Sequence, residues 1–209
     1  LNNSEKTKEN STYEVLVGAD SNKGLEVSGS NKNNNATVDI WNYGNAAAQK
    51  FKFEYVNGYY KITVTHTGKS LTAKNNSIKE GTEIVQSDYT GSDGQKWLVK
   101  DSKKNGWIIS PLANPSLCIT VKGSIQNGSK IILSQTRNNN NQMFYLVQAP
   151  NATKTIANGT YELAIGANSS KAIEVAGSSQ ANNAKVDIWN YGNSRAQKFN
   201  LEYVNGYYK

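Results

Sequence analysis

The sequence predicts an all-β fold built from repeats. Short strand-like runs recur along the chain, Asn-Gly turns follow several of them, and no segment sustains a helical period with caps. Tyrosine (12) outnumbers Phe and Trp (4 each), a composition that suits strands with one wet face.

The longest repeat comes first. Residues Tyr13–Lys61 align without gaps on Tyr161–Lys209, matching at 33 of 49 positions with a constant offset of 148. A shorter period lies inside it. Gln49-Lys50-Phe51, Gln95-Lys96-Trp97, Gln142-Met143-Phe144 and Gln197-Lys198-Phe199 share a Gln-x-aromatic pattern at spacings of 46, 47 and 55. The longer last gap holds Gln148–Asn158, a polar stretch with Pro150 that reads as a linker.

Within the first repeat the expected strands are Tyr13–Val17, Gly24–Val27, Thr37–Trp41 and Gln49–Tyr55. Asn57-Gly58, Asn105-Gly106 and Asn205-Gly206 are expected to form two-residue hairpin turns, which need positive φ at both positions. Strands Tyr59–Val64 and Trp107–Ser110 should follow the first two, with Tyr13–Val17 and Tyr161–Ile165 opening the long repeats. Strands this short, separated by Gly, Asn and Ser, point to a barrel or a sandwich. A repeat of about 47 residues is too small to bury a core alone, so three must share one.

Composition narrows the function classes. The net charge of +7 comes from 23 basic and 16 acidic residues, with the lysines scattered singly rather than gathered in a strip with aromatics. That is the pattern of a solvated surface with mild attraction to anionic material such as a cell wall, and it argues against nucleic acid as a partner. No apolar run approaches membrane-spanning length, so membrane insertion is not expected. The chain begins without Met or an apolar leader, which reads as a mature product or an excised piece. The one cysteine, Cys118, lies in Leu117-Cys118-Ile119 and reads as a small buried hydrophobe. The one histidine, His66, lies in a loop-like Thr-His-Thr-Gly stretch without triad or metal partners. Neither metal nor cofactor is expected.

Four repeated groups could carry function: Glu26, Asp39, Trp41 and Gln49, recurring as Glu174, Asp187, Trp189 and Gln197. Two carboxylates on one surface could hydrolyse a glycosidic bond, but that chemistry wants a deep cleft, and the second and third repeats lack the pair. Read as a sugar site, the set makes fuller sense. A pyranose offers hydroxyl pairs to the two acids and a C–H face to an aromatic wall, with the Gln amide orienting. Alternation turns Val38 and Ile40 inward and leaves Asp39 and Trp41 outward, although the indole could instead be a packing residue.

The segments Gly24-Leu25-Glu26-Val27-Ser28-Gly29, Val38-Asp39-Ile40-Trp41, Ala48-Gln49-Lys50-Phe51 and Asn57-Gly58-Tyr59-Tyr60 resemble the ricin-B-like lectins, in particular their bacterial carbohydrate-binding-module branch. The likeness recurs in four repeats and covers essentially the whole chain. It implies a β-trefoil, a six-stranded barrel capped by three hairpins, with the Gln-x-aromatic side chains filling the shared core. Residues 6–148 would form one trefoil and 149–157 a linker, with 158–209 the first repeat of a second, incomplete trefoil. The resemblance also assigns roles: an acid gripping two hydroxyls at Glu26, a stacking ring at Trp41, and Gln49 closing the site.

This sequence departs from the family pattern at Glu26, where aspartate is usual, and at Ala48, where many members carry Asn. The second repeat has Thr72 and Ser87 at the acid and aromatic positions, with Tyr89 as a substitute ring. The third keeps Asn141-Gln142 but has Thr120 and Ser134, and is expected to bind nothing. The implied protein is a non-catalytic, secreted or cell-surface module, part of a larger chain, that targets an attached enzyme or surface protein to a polysaccharide or glycan. The alternative is an adhesin or toxin component that recognises host glycans.

Overall fold

The computed structural model describes residues 5–149, 156–204 and 207–208, with the side chains of residues 203, 204, 207 and 208 left aside. The chain divides into two bodies, Leu1–Ala149 and Pro150–Lys209. Most of the expected linker (150–155) and the Asn205-Gly206 turn lie outside the described residues.

The larger body holds twelve strands. They are β1 (Ser11–Val17), β2 (Asp20–Val27), β3 (Ala36–Asn42), β4 (Lys50–Val56), β5 (Tyr59–Val64), β6 (Ser70–Ala73), β7 (Ile84–Ser87), β8 (Trp97–Asp101), β9 (Trp107–Pro111), β10 (Leu117–Val121), β11 (Ile131–Gln135) and β12 (Phe144–Gln148). Six of them close on themselves: β1 pairs with β4, β4 with β5, β5 with β8, β8 with β9, β9 with β12, and β12 returns to β1. Closure leaves the barrel without an edge. The other six form the hairpins β2–β3, β6–β7 and β10–β11. Each repeat thus gives a barrel strand, a hairpin and a second barrel strand. This is the β-trefoil that the resemblance implies.

The three hairpins lock one another through backbone bonds. Asn35 N donates to Gln86 O, Gly81 N to Leu133 O, and Gly128 N to Ile40 O, each at 2.8 Å. Each repeat supplies the same donor and the same acceptor, so the lock runs head to tail around the pseudo-threefold axis.

Alternation fills the core. Val15 and Val17 of β1, Leu25 and Val27 of β2, Val38 and Ile40 of β3, and Phe51 and Phe53 of β4 belong to one buried cluster. Phe51, Trp97 and Phe144, the aromatics of the Gln-x-aromatic pattern, are fully buried in it, and the Trp97 indole donates to Leu71 O at 3.0 Å. The paired glutamines Gln49, Gln95 and Gln142 are buried as well, each spending its amide on a neighbouring backbone carbonyl. Cys118 packs with Ile108 and Met143 in a small satellite cluster. His66 sits in the turn after β5, its Nε2 3.3 Å from Ser30 O.

Two local expectations change. Gln49 belongs to a 3-10 turn, Ala47–Gln49, and not to the strand that follows. Asn57-Gly58 does form the two-residue turn, with φ of +47° and +92°. Asn105-Gly106 closes a five-residue loop instead, because the buried Ser102 hydroxyl accepts from Lys104 N (3.1 Å) and Gly106 N (3.2 Å).

The smaller body repeats the start of the larger one. Its strands are β13 (Gly159–Glu162), β14 (Ala164–Ile165), β15 (Asn168–Val175), β16 (Val186–Asn190), β17 (Lys198–Leu201), β18 (Tyr203–Val204) and β19 (Tyr207–Tyr208). β13 pairs with β17, β14–β15–β16 form a small sheet, and β18 pairs with β19.

Candidate functional site

The hairpin β2–β3 presents two faces. Leu25, Val27, Val38 and Ile40 point into the core. Gly24, Glu26, Asp39 and Trp41 share the other face, with Glu26 opposite Asp39 and Gly24 opposite Trp41. A Cβ at Gly24 would lie 3.3 Å from the Leu16 side chain and 3.7 Å from the Tyr43 ring.

Trp41 is 46% exposed, too open for a packing residue. Asp39 differs from the expectation that both acids face water: it is only 5% exposed. The cause lies in the third repeat, whose Lys130 forms a β-bridge with Asp39 and whose Ser129 O accepts from Ile40 N at 3.1 Å. Glu26 is half-buried.

Burial sets the electrostatics. It raises the Asp39 carboxyl above its ordinary range, with the Ser28 hydroxyl and the Asp39 backbone opposing. Burial also raises Glu26, the Asp39 charge adds to this, and the Gln49 amide opposes. Asp39 Oδ1 is buried and has no hydrogen-bond partner among the described residues. An acceptor held in this state costs folding energy unless something outside the chain satisfies it.

Gln49 works as a clamp. Its amide donates to Asn42 O (3.0 Å) and Glu26 Oε2 (3.2 Å), while its carbonyl accepts from Gly44 N (2.9 Å) and Ala46 N (3.3 Å). The same clamp recurs in every repeat. Gln95 holds Asp88 O (2.9 Å) and Thr72 Oγ1 (3.1 Å), Gln142 holds Gln135 O (2.7 Å) and Thr120 Oγ1 (3.2 Å), and Gln197 holds Asn190 O (2.8 Å) and Glu174 Oε2 (3.1 Å). Since it appears with or without an acid, its first task is to fix the loop. In the first and fourth repeats it also fixes one carboxylate oxygen.

The fourth repeat brings Glu174 and Asp187 opposite each other and sets Ala172 opposite Trp189, whose indole is 61% exposed. The second repeat gathers a different surface. Tyr89 is 38% exposed, its hydroxyl lies 2.9 Å from that of Tyr59, and Lys61 Nζ stands 4.4 Å from its ring centroid. The Tyr59 bond, followed by burial, pushes the Tyr89 phenol up to about 12. Thr72 is buried and already engaged by Gln95. In the third repeat the Ser134 hydroxyl donates to Glu80 at 3.2 Å, and Asn141 donates to Gly123 O at 3.1 Å.

Three neighbours of the site escaped the sequence reading: Tyr43 beside Gly24, and the pair Lys23–Asn42, in which Lys23 Nζ donates to Asn42 Oδ1 at 2.9 Å. Lys171 and Asn190 repeat that pair at 2.8 Å. The run Trp-Asn-Tyr-Gly, identical in both copies, was the available signal.

A family model described as ricin-type beta-trefoil lectin domain-like matches residues 4–87 and 47–134. Flavastacin of Elizabethkingia meningoseptica is 28% identical over 130 residues, which is 61% of this chain and 29% of Flavastacin. An exo-β-1,3-galactanase from Clostridium thermocellum superposes with a TM-score of 0.63 at 25% identity, covering 69% of this chain and 31% of that one. A ricin B-like lectin of Macrolepiota procera, solved with lactose, superposes with a TM-score of 0.59 at 15% identity, covering 69% of this chain and 99% of that one. The chain therefore spans less than a third of Flavastacin and of the galactanase.

Proposed function

The chain belongs to the ricin-type β-trefoil lectin domain-like family, whose domains are typically non-catalytic, and from that premise we propose that it is a glycan-binding module. Its sites are Glu26, Asp39 and Trp41 with Gln49, and Glu174, Asp187 and Trp189 with Gln197. The observation that carries the reading is the Trp41 indole standing open beside an opposed pair of acids, one of which keeps a buried, unpartnered oxygen. The indole offers an apolar wall to the C–H face of a pyranose. The second oxygen of Glu26 accepts from its hydroxyls, Asp39 backs that carboxylate from the buried side, and Gln49 sets the angle of Glu26.

Catalysis fits less well. A glycosidase needs both carboxyls to flank the scissile bond in an open cleft, and Asp39 is only 5% exposed.

The wider role follows from size. The Flavastacin and galactanase similarities each cover a minor part of a longer chain, which supports a module that tethers an attached secreted enzyme or surface protein to glycan. Two sites on one chain raise avidity by keeping the second site at high effective concentration.

The test is a glycan array followed by calorimetry on the best sugar, with Trp41→Ala, Trp189→Ala and the double variant. Losing a stacking indole should weaken its site by at least about tenfold, and the double variant should abolish retention on immobilised glycan. Binding unchanged in the double variant would overturn the assignment. An array that responds only to animal glycans would favour a receptor-binding role over attachment to polysaccharide.

A further inference from the structure

Many carboxylates of the larger body are balanced by a lysine. Glu9, Glu54, Asp88, Asp93 and Asp101 each pair with one, and Glu83 takes two, Lys74 at 3.1 Å and Lys130 at 2.6 Å. Glu26 and Asp39, opposed across β2–β3, have no such partner among the described residues. Two neighbouring lysines are engaged elsewhere. Lys130 forms a β-bridge with Asp39 but sends its ammonium to Glu83. Lys23, three residues before Glu26, donates to Asn42 Oδ1 and Asn127 Oδ1, each at 2.9 Å.

Burial deepens the imbalance. Asp39 is 5% exposed and its Oδ1 has no hydrogen-bond partner among the described residues, so its charge is poorly screened where it meets Glu26. The Glu26 carboxyl is raised first by burial and then by that charge, and one of its oxygens is held by the Gln49 amide. What faces a ligand is a single carboxylate oxygen with a second negative charge behind it.

Trp41 lies diagonally across the hairpin from Glu26, on the same face. Such diagonal neighbours are about 7–8 Å apart, within reach of one pyranose. A neutral sugar would satisfy the indole and leave the charge unbalanced, and a uronate would add to it. A sugar with a protonated amine answers both groups. Its C–H face stacks on the indole, whose ring also attracts a cation, and its ammonium donates a charge-assisted bond to Glu26.

Resting on the glycan-binding reading of this site, we infer that the first repeat selects glycans bearing a free amine, such as de-N-acetylated hexosamines. Glu26 reads the ammonium, and Asp39 supplies the charge behind it.

Bulk charge argues the other way, which sharpens the test. The chain carries +7, so unspecific attraction favours acidic glycans. The experiment is calorimetry at about pH 7, where such an amine is mostly protonated. The 209-residue protein carries Trp189→Ala, so that the first repeat is read by itself. The probes are tetramers of glucosamine, N-acetylglucosamine, glucose and galacturonic acid. Glucosamine should bind roughly tenfold tighter than either neutral tetramer, and galacturonate weakest. Glu26→Gln should bring that ratio to within about twofold, and Asp39→Asn should lower it by a smaller factor. Trp41→Ala should weaken every tetramer that binds, and a retained melting transition checks that each variant is folded.

Neutral tetramers bound as tightly as glucosamine, and still dependent on Trp41, overturn the inference and leave the glycan site standing. A preference for glucosamine that survives Glu26→Gln overturns it, as does tightest binding of galacturonate or no binding of glucosamine. Binding indifferent to Trp41→Ala overturns the inference together with the placement of the site.

Discussion

The first and fourth repeats share 33 of 49 residues but meet different surroundings. In the first, Val38 and Ile40 are sealed by neighbouring hairpins and Asp39 is buried beneath the third repeat. In the fourth, Val186, Ile188 and Asp187 are exposed. Local structure is the same in both: Glu26 faces Asp39 as Glu174 faces Asp187, and each Gln clamps its own Glu. Sequence therefore determines the hairpin and its clamp, while burial of the site's second acid is a tertiary effect. What the first repeat gains from its neighbours is a dry carboxylate beside an open indole.

The sharpest way to break this comparison is to put the same charge on both hairpins. Val38→Asp buries a carboxylate in the closed core and should cost about 4 kcal/mol or more, enough to erase the cooperative melting of the larger body. Val186→Asp should leave that transition unmoved, because Val186 is 61% exposed. Circular dichroism melts of both variants decide it. Equal losses would mean that the two hairpins are equally enclosed.

The clamps give an intermediate effect. Gln95→Ala and Gln142→Ala each remove bonds that hold a loop and should cost about 1–3 kcal/mol without changing glycan affinity. Gln49→Ala should cost a similar amount and also weaken glycan binding, because it frees Glu26 to rotate. Paired melts and titrations separate the two roles. If Gln49→Ala left affinity intact, the clamp would be structural in all four repeats.

Much of this was legible in the sequence. The Gln-x-aromatic spacings pointed to three repeats sharing one core, the resemblance to ricin-B-like lectins implied the trefoil, and Phe51, Trp97 and Phe144 do meet in one interior. The outward Trp41 followed from alternation against Val38 and Ile40. The depth of Asp39 was not legible, since Lys130, the residue that bridges it, belongs to another repeat. Nor was the true place of Gln49, because a three-residue 3-10 turn has no periodicity to read. Asn105-Gly106 looked like Asn57-Gly58, and only the buried Ser102 hydroxyl distinguishes the longer loop.

The smallest effect is the most specific to the buried acid. A carboxyl raised in the fold keeps its proton over a pH range where the unfolded chain has lost it, so the native state binds more protons there. Stability then falls as pH rises from the ordinary carboxylate range, near 4, through the raised value of Asp39, and the penalty is constant above that. Asp39→Asn removes the penalty and should raise the melting temperature at pH 7 by about 2–4 °C for each 1 kcal/mol regained. The gain should vanish below the ordinary range, where both proteins carry a neutral group. Glu83 moves the other way, since the bonds from Lys130 and Lys74 hold it low, so the profile must be read as a difference between variant and wild type. The same substitution should change glycan binding less than Trp41→Ala does, since Asp39 reaches a ligand only through its charge on Glu26. Asp187→Asn should change stability less, because that acid is exposed. A variant at position 39 that lost stability at pH 7 would show that the Asp39 carboxylate holds the fold and carries no penalty there.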